Sequence, residues 1–133
     1  MSITPNADQF LDYAQSDLEG EVVMLNLLKF KERADGEEGS GREAYERYGE
    51  AAVKMVHEQG GRLLWMGQAR HVFIGSPEAN DWDAVALVSY PSRQAFIDMV
   101  STPEYGDAHT HREAGLADTV IIACAPAPDF VSG

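Results

Sequence analysis

The chain has 133 residues, 44% of them hydrophobic and 24% charged, the size and composition of one soluble globular domain. Its net charge is −12 and its ten Lys and Arg are scattered, so no cationic face is offered to nucleic acid or to an anionic membrane. A single cysteine, Cys124, excludes an intrachain disulfide and a Cys-based zinc site, and no apolar run approaches the roughly 20 residues that span a bilayer.

The opening residues have neither the basic nor the apolar segment of a secretory signal, so the expected compartment is the cytoplasm. Thr4-Pro5 is expected to start a helix, Thr as N-cap and Pro at N1, with Phe10, Leu11 and Ala14 on the packed side and Gly20 as a stop. Residues 1–20 read as a helical appendage. The run Glu21–Phe30, EVVMLNLLKF, is apolar on both faces, with Val22, Met24, Leu28 and Phe30 on one and Val23, Leu25 and Leu27 on the other. Such a strand belongs in the middle of a sheet. Asn26 alone interrupts it, and a buried amide needs partners.

Lys31–Gly41, KERADGEEGSG, reads as a solvated loop ending in a capping box of Ser40 and Glu43. The helix that follows, to about Gln59, carries Tyr45, Tyr48, Ala52, Met55 and Val56 on one face, and Gly60-Gly61 closes it. Arg62–Ile74 is expected to be extended, with Leu63 and Trp65 on one face, Leu64 and Met66 on the other, and a bulge at Gly67. Asp83–Tyr90 is a second strand apolar on both faces. Ser92 can cap a short helix bearing Phe96, Ile97, Met99 and Val100. Thr102-Pro103 opens another that ends near Gly115, and Thr119–Ala125 is the last strand, followed by an irregular tail over residues 126–133.

Setting the first helix aside and taking the two short helices before the last strand as one crossover, the order is strand, helix, strand, strand, helix, strand. That is the split βαβ, or ferredoxin-like, plan: one α+β domain with a four-stranded antiparallel sheet and its helices on one face. The other face would be bare, yet the first, third and last strands are apolar on both sides, and a soluble monomer tolerates little contiguous apolar surface. A homodimer packed sheet to sheet, closing an α+β barrel, covers it. A small ligand would fit between sheet and helices or inside the barrel.

The segments VVMLNLLKFKE, GGRLLWMGQARHVFIG, WDAVALVSYPSRQAF, TPEYGDAH and ADTVIIA resemble the domain of unknown function 1330 family of the dimeric α+β barrel superfamily. The likeness runs from about Val22 to Ala125. Its most specific parts are Gly60-Gly61, the turn Tyr90–Arg93 and the Pro-Glu-Tyr of Pro103–Tyr105. Met66-Gly67-Gln68 departs from the paired glycines of many members, as do the N-terminal helix and the long loop. The resemblance implies the fold and the dimer and assigns no reaction.

On the helix from Pro103, Tyr105, Ala108, His109 and Arg112 share a face through their i, i+3, i+4 and i+7 spacing. A core-facing stripe is expected to be apolar, whereas this one carries a phenol, an imidazole and a guanidinium. With Asn26 and Trp65 they could line a cleft for a small acid, His109 serving as acid or base and Arg112 holding the carboxylate. The plainer reading is an amphipathic rim with Arg112 in a structural ion pair. His109 and His111 lie two apart on a helix and point in nearly opposite directions, so no metal is expected, and no phosphate-binding loop calls for a nucleotide cofactor. Cys124, in the run Val120–Ala125, is expected to be a buried small hydrophobe. Two functions follow: an enzyme without metal or nucleotide acting on a small aromatic or polyketide-like acid, or a non-catalytic ligand-binding or structural dimer.

Overall fold

The computed structural model describes residues 4–127. Its elements are α1 (Ala7–Ala14), β1 (Val22–Phe30), α2 (Gly41–Glu58), β2 (Arg62–Gln68), β3 (Ala84–Tyr90), α3 (Arg93–Val100), α4 (Pro103–Gly115) and β4 (Leu116–Cys124). The strands form one sheet in the order β2-β3-β1-β4, every neighbouring pair antiparallel. With α1 as an addition, and with α3 and α4 together in the place of the second helix, this is the ferredoxin-like α+β plan.

Register assigns each side chain to a face. Val22, Met24, Asn26 and Leu28 stand opposite Tyr90, Val88, Ala86 and Ala84, and all but Val88 of these are buried beneath the helices. Val23, Leu25 and Leu27 stand opposite Ser89, Leu87 and Val85 on one side and Cys124, Ile122 and Val120 on the other. That second set makes an apolar face with no helix over it, on which Ile122 is 49% and Val120 38% exposed.

β2 departs from the simple alternation. Leu63 pairs with Val88, but the register slips before Trp65, which pairs with Leu87. The bulge is therefore at Leu64, not Gly67, and it turns Leu63 toward the helices and Trp65 to the open face. Gly67 is needed for another reason: a Cβ there would run into the Trp65 indole, which lies across it. The strand also ends at Gln68 rather than Ile74, and residues 69–83 form a loop with Phe73 and Ile74 almost fully exposed.

The helix starts follow from side-chain caps. Ser40, Ser92 and Thr102 each accept from the backbone N–H three residues on, Ser40 in a reciprocal box with Glu43. For α1 the cap is Asn6, boxed with Gln9, rather than Thr4. α1 has no buried residue, Leu11 is exposed, and the helix ends at Ala14, well before Gly20. It is held by Tyr13, edge-on to Phe96, and by the Arg93 guanidinium, which donates to the carbonyls of Ser16 and Leu18.

α2 and α4 pack closely on each other. Two glycines set their crossing. A Cβ on Gly41 would collide with the carbonyls of Lys31 and Gly115, and one on Gly115 with the carbonyl of Gly41. β4 follows α4 without a connecting loop, beginning at Leu116 rather than Thr119. The expected irregular tail falls mostly outside the described residues.

Candidate functional site

The buried apolar residues beneath the helices fall into two clusters. One cluster gathers Val22, Met24, Val56, Tyr90, Ala95 and Met99. A second gathers Leu28, Ala84 and Leu116, with Phe30 and Tyr45 against it. Between the two on the sheet stand Asn26 and, opposite it, the small Ala86.

Asn26 is 9% exposed. Its Nδ2 donates to the Met24 carbonyl at 3.1 Å and the Ala86 carbonyl at 3.5 Å. Nothing among the described residues donates to its Oδ1. Among the described residues no fully buried side-chain oxygen or nitrogen is left without a partner, which makes Oδ1 at least slightly accessible. An open acceptor on a residue this buried is the sharpest polar feature of the interior.

The helices bring phenols and a guanidinium over this part of the sheet. Arg112 is 3% exposed, and its Nη2 donates to Thr119 Oγ1 at 3.5 Å. Thr119 Oγ1 in turn donates to the Leu27 carbonyl at 2.7 Å. Thr119 lies two residues before Ile121, the β4 partner of Asn26. Tyr105 from α4 meets Tyr48 from α2 hydroxyl to hydroxyl at 3.0 Å. Burial pushes the Tyr45 phenol up to about 12, against the pull of Arg112, and burial likewise holds Tyr48 well above its ordinary range. These phenols are neutral donors at physiological pH.

Four ring contacts run in a line from one end of the interior to the outer side of α4. Phe30 and Tyr45 lie 5.6 Å apart, Tyr45 and Tyr48 5.3 Å, Tyr48 and Tyr105 6.0 Å, and Tyr105 and His109 5.7 Å. His109 Nδ1 is 2.9 Å from Glu113 Oε1, one turn along the helix. With Nδ1–H directed at that carboxylate, Nε2 carries the exchangeable lone pair.

The candidates named from sequence thus divide. Tyr105 and Arg112 both lie near Tyr45, the His109 ring contacts Tyr105, and Asn26 is on the helix side of the sheet. Trp65 does not join them: it is 55% exposed on the helix-free face of the sheet, because the Leu64 bulge turned it over. Tyr45 and Tyr48 belong to the region, although their spacing marked them only as core. The available signal was that a core-facing phenol needs a hydrogen-bond partner.

His111 points elsewhere, as its spacing from His109 required. Its Nδ1 is 2.7 Å from Glu37 Oε2, and the Arg47 Nε donates to Glu37 Oε1 at 3.0 Å. Partial desolvation works against charge on Glu37, but His111 and Arg47 together hold its carboxyl below the usual range. Lys31 N–H donates to the Gly115 carbonyl and Asp35 N–H to that of Ala114. The segment read as a solvated loop is therefore tied to α2 and α4. Among the described residues, no three His, Cys, Asp or Glu side chains are grouped to hold a metal ion. No helix there is long and apolar enough to cross a membrane.

Comparisons with known proteins agree with this architecture. No curated protein matches the sequence. RPA0582, a protein of unknown function from Rhodopseudomonas palustris, is 35% identical over 94% of this chain and 96% of that one, with a TM-score of 0.85. More distant structures share the fold alone. One is a dimeric protein of unknown function with a ferredoxin-like fold from Bacteroides fragilis, at 12% identity, coverages of 81% and 98%, and a TM-score of 0.52. Another is SnoaB, a cofactor-independent oxygenase from Streptomyces nogalater, at 14% identity, coverages of 81% and 96%, and a TM-score of 0.51. The model for "Domain of unknown function (DUF1330)" matches residues 39–125, from the cap of α2 to the end of β4, and the chain belongs to that family.

Proposed function

We propose that the protein is a homodimeric, small-molecule-binding α+β barrel whose ligand is a small organic acid held between sheet and helices. The observation that carries this reading is the open Oδ1 of Asn26, on a residue 9% exposed, in the same interior as the buried Arg112. Oδ1 is open to a donor from water or from a ligand. A guanidinium has five N–H donors in a fixed fork and can hold a carboxylate beside its protein partners. The ligand that answers both is an acid that also bears a hydroxyl or an N–H, which suits a phenolic or polyketide-like acid.

A second reading is favoured by the His109–Glu113 pair. An imidazole oriented through Nδ1, beside the Tyr105 ring, is arranged for proton transfer through Nε2. On that reading the protein is an enzyme that uses neither metal nor nucleotide. The dimer is supported by the helix-free face, where Trp65, Val120 and Ile122 are exposed beside Leu25, Leu87 and Val85. It is also supported by the dimeric state named for the B. fragilis neighbour.

Native mass spectrometry of the protein as purified from cells tests both parts. A dimer retaining a small acid, released from a folded Asn26→Leu variant, is the expected result. A monomer overturns the assembly. Retention of the same molecule by Asn26→Leu overturns the assigned location. Wild type that retains nothing and is not stabilised against heat by hydroxybenzoates overturns the ligand class.

A further inference from the structure

A cleft of about 610 Å³ opens between α2 and the adjoining ends of β2 and β3, on the helix side of the sheet. Its size is that of small-molecule sites. Its walls are the Phe30 and Tyr45 rings, tilted 54° to each other, and Met66 from β2. On the floor the sheet contributes Ala84, whose small side chain leaves the space open. Flat rings with a thioether nearby favour a planar aromatic partner.

The rim decides the charge. It carries two acids and two arginines, but three of these four groups are already engaged. Glu46 pairs with Arg42 one helical turn away at 3.5 Å. Asp83 accepts from the Phe30 N–H at 2.8 Å and lies 3.5 Å from the Lys29 ammonium. Arg70 has no hydrogen bond or ion pair among the described residues, and Gln68 also lines the cleft. The group left over is a cation, in a chain whose net charge is −12.

We propose that this cleft is a binding site for a planar aromatic acid, the ring lying against Phe30, Tyr45 and Met66 and the acid group on the Arg70 guanidinium. It shares Tyr45 with the Asn26 region but does not depend on that assignment. Tyr45 stands between the two, its ring against Phe30 on one side and Tyr48 on the other. Being on the helix side, the cleft stays open when the bare face of the sheet is covered.

The test uses 2-naphthoate on the full chain, with affinity measured by calorimetry and location by the Met66 methyl resonance. The controls are 2-naphthalenemethanol, flat and neutral, and cyclohexanecarboxylate, charged and not flat. Naphthoate is expected to bind, to shift the Met66 methyl, and to weaken about tenfold or more in Arg70→Ala. Both controls are expected to bind more weakly. Arg70 is an exposed loop residue, so the variant keeps the fold. Failure of wild type to bind naphthoate at millimolar concentration overturns the proposal, as does equal binding of the neutral analogue. Naphthoate binding that ignores Arg70→Ala and leaves the Met66 methyl unmoved, yet is lost in Asn26→Leu, also overturns it and assigns the molecule to the interior region.

Discussion

Tyr48 of α2 and Tyr105 of α4 share one hydrogen bond, hydroxyl to hydroxyl at 3.0 Å, their rings edge to face. Each phenol is the other's hydrogen-bond partner. Tyr48→Phe leaves the Tyr105 hydroxyl without that partner and is expected to cost about 1–2 kcal/mol. Tyr105→Phe should cost about the same. The double variant should cost clearly less than the sum of the two, because no orphaned hydroxyl remains. Thermal melts of the three variants decide it, and strict additivity would show that the two hydroxyls are independently satisfied.

The buried phenols also set a limit at alkaline pH. The pKa of Tyr45 is raised from the ordinary 10.0 to about 12 by burial, and burial also raises Tyr48, Tyr13 and Tyr90. An unfolded chain releases these protons near pH 10 while the folded one holds them, so the folded state binds more protons between about pH 10 and pH 12. Their contribution is complete below pH 10 and is lost as pH rises through the folded values. For Tyr45 alone this amounts to roughly 2–3 kcal/mol. Phenolate absorbance should therefore lag in the native protein and rise together with loss of the circular dichroism signal. A smooth titration of all the tyrosines near pH 10, with the fold intact, would contradict this burial.

Gly41 and Gly115 hold α2 and α4 at their crossing, each facing the other's backbone carbonyl. Backbone cannot swing aside as a side-chain tip does, so Gly115→Ala is expected to destabilise by about 2–3 kcal/mol. The same change at Gly49, where a Cβ meets nothing within 4 Å, should stabilise by up to about 1 kcal/mol through helix propensity. Denaturant melts of both variants give the comparison. Equal effects would mean that the helix crossing tolerates a methyl group.

What the sequence disclosed and what it withheld follow from the range of each interaction. The caps at Ser40, Ser92 and Thr102 are contacts three residues long, so they could be read directly. The cap of α1 was readable too, as Asn6 with Gln9, but Thr4-Pro5 offered a competing start. The element order gave the sheet plan, because only a few topologies satisfy it. The bulge at Leu64 was not legible: it depends on which β3 residue lies across, and the glycine that suggested a bulge serves the Trp65 ring instead. That one-residue slip moved Trp65 to the wrong face for the proposed cleft. The loop after Phe30 looked solvated for a similar reason, since its anchors at Ala114, Gly115 and His111 are about 80 residues distant. For Tyr45 and Tyr48, helical spacing showed which way they face, but only the crossing of α2 and α4 shows what they meet.

The last expectation joins the open face to Cys124. The sequence suggested a buried thiol, yet in the single chain Cys124 is only partly covered, standing opposite Val23 on the helix-free face. If a second copy packs on that face, the thiol is shielded by the dimer and not by its own fold. Leu25 stands at the middle of the face, between Leu87 and Ile122. Leu25→Glu places a charge where two sheets would meet, and a charge buried without a partner costs several kcal/mol, enough to separate the subunits. The side chain is not part of the helix-side core, so the monomer should stay folded. Light scattering is expected to give a dimer mass for wild type and a monomer mass for Leu25→Glu. A thiol reagent is expected to label Cys124 slowly in the first and quickly in the second. Dilution of wild type should raise the labelling rate toward that of the variant, because the protection depends on concentration. A wild-type protein that is monomeric at micromolar concentration, or a Cys124 labelled at one rate in both proteins, would remove the dimer as the cover for this face.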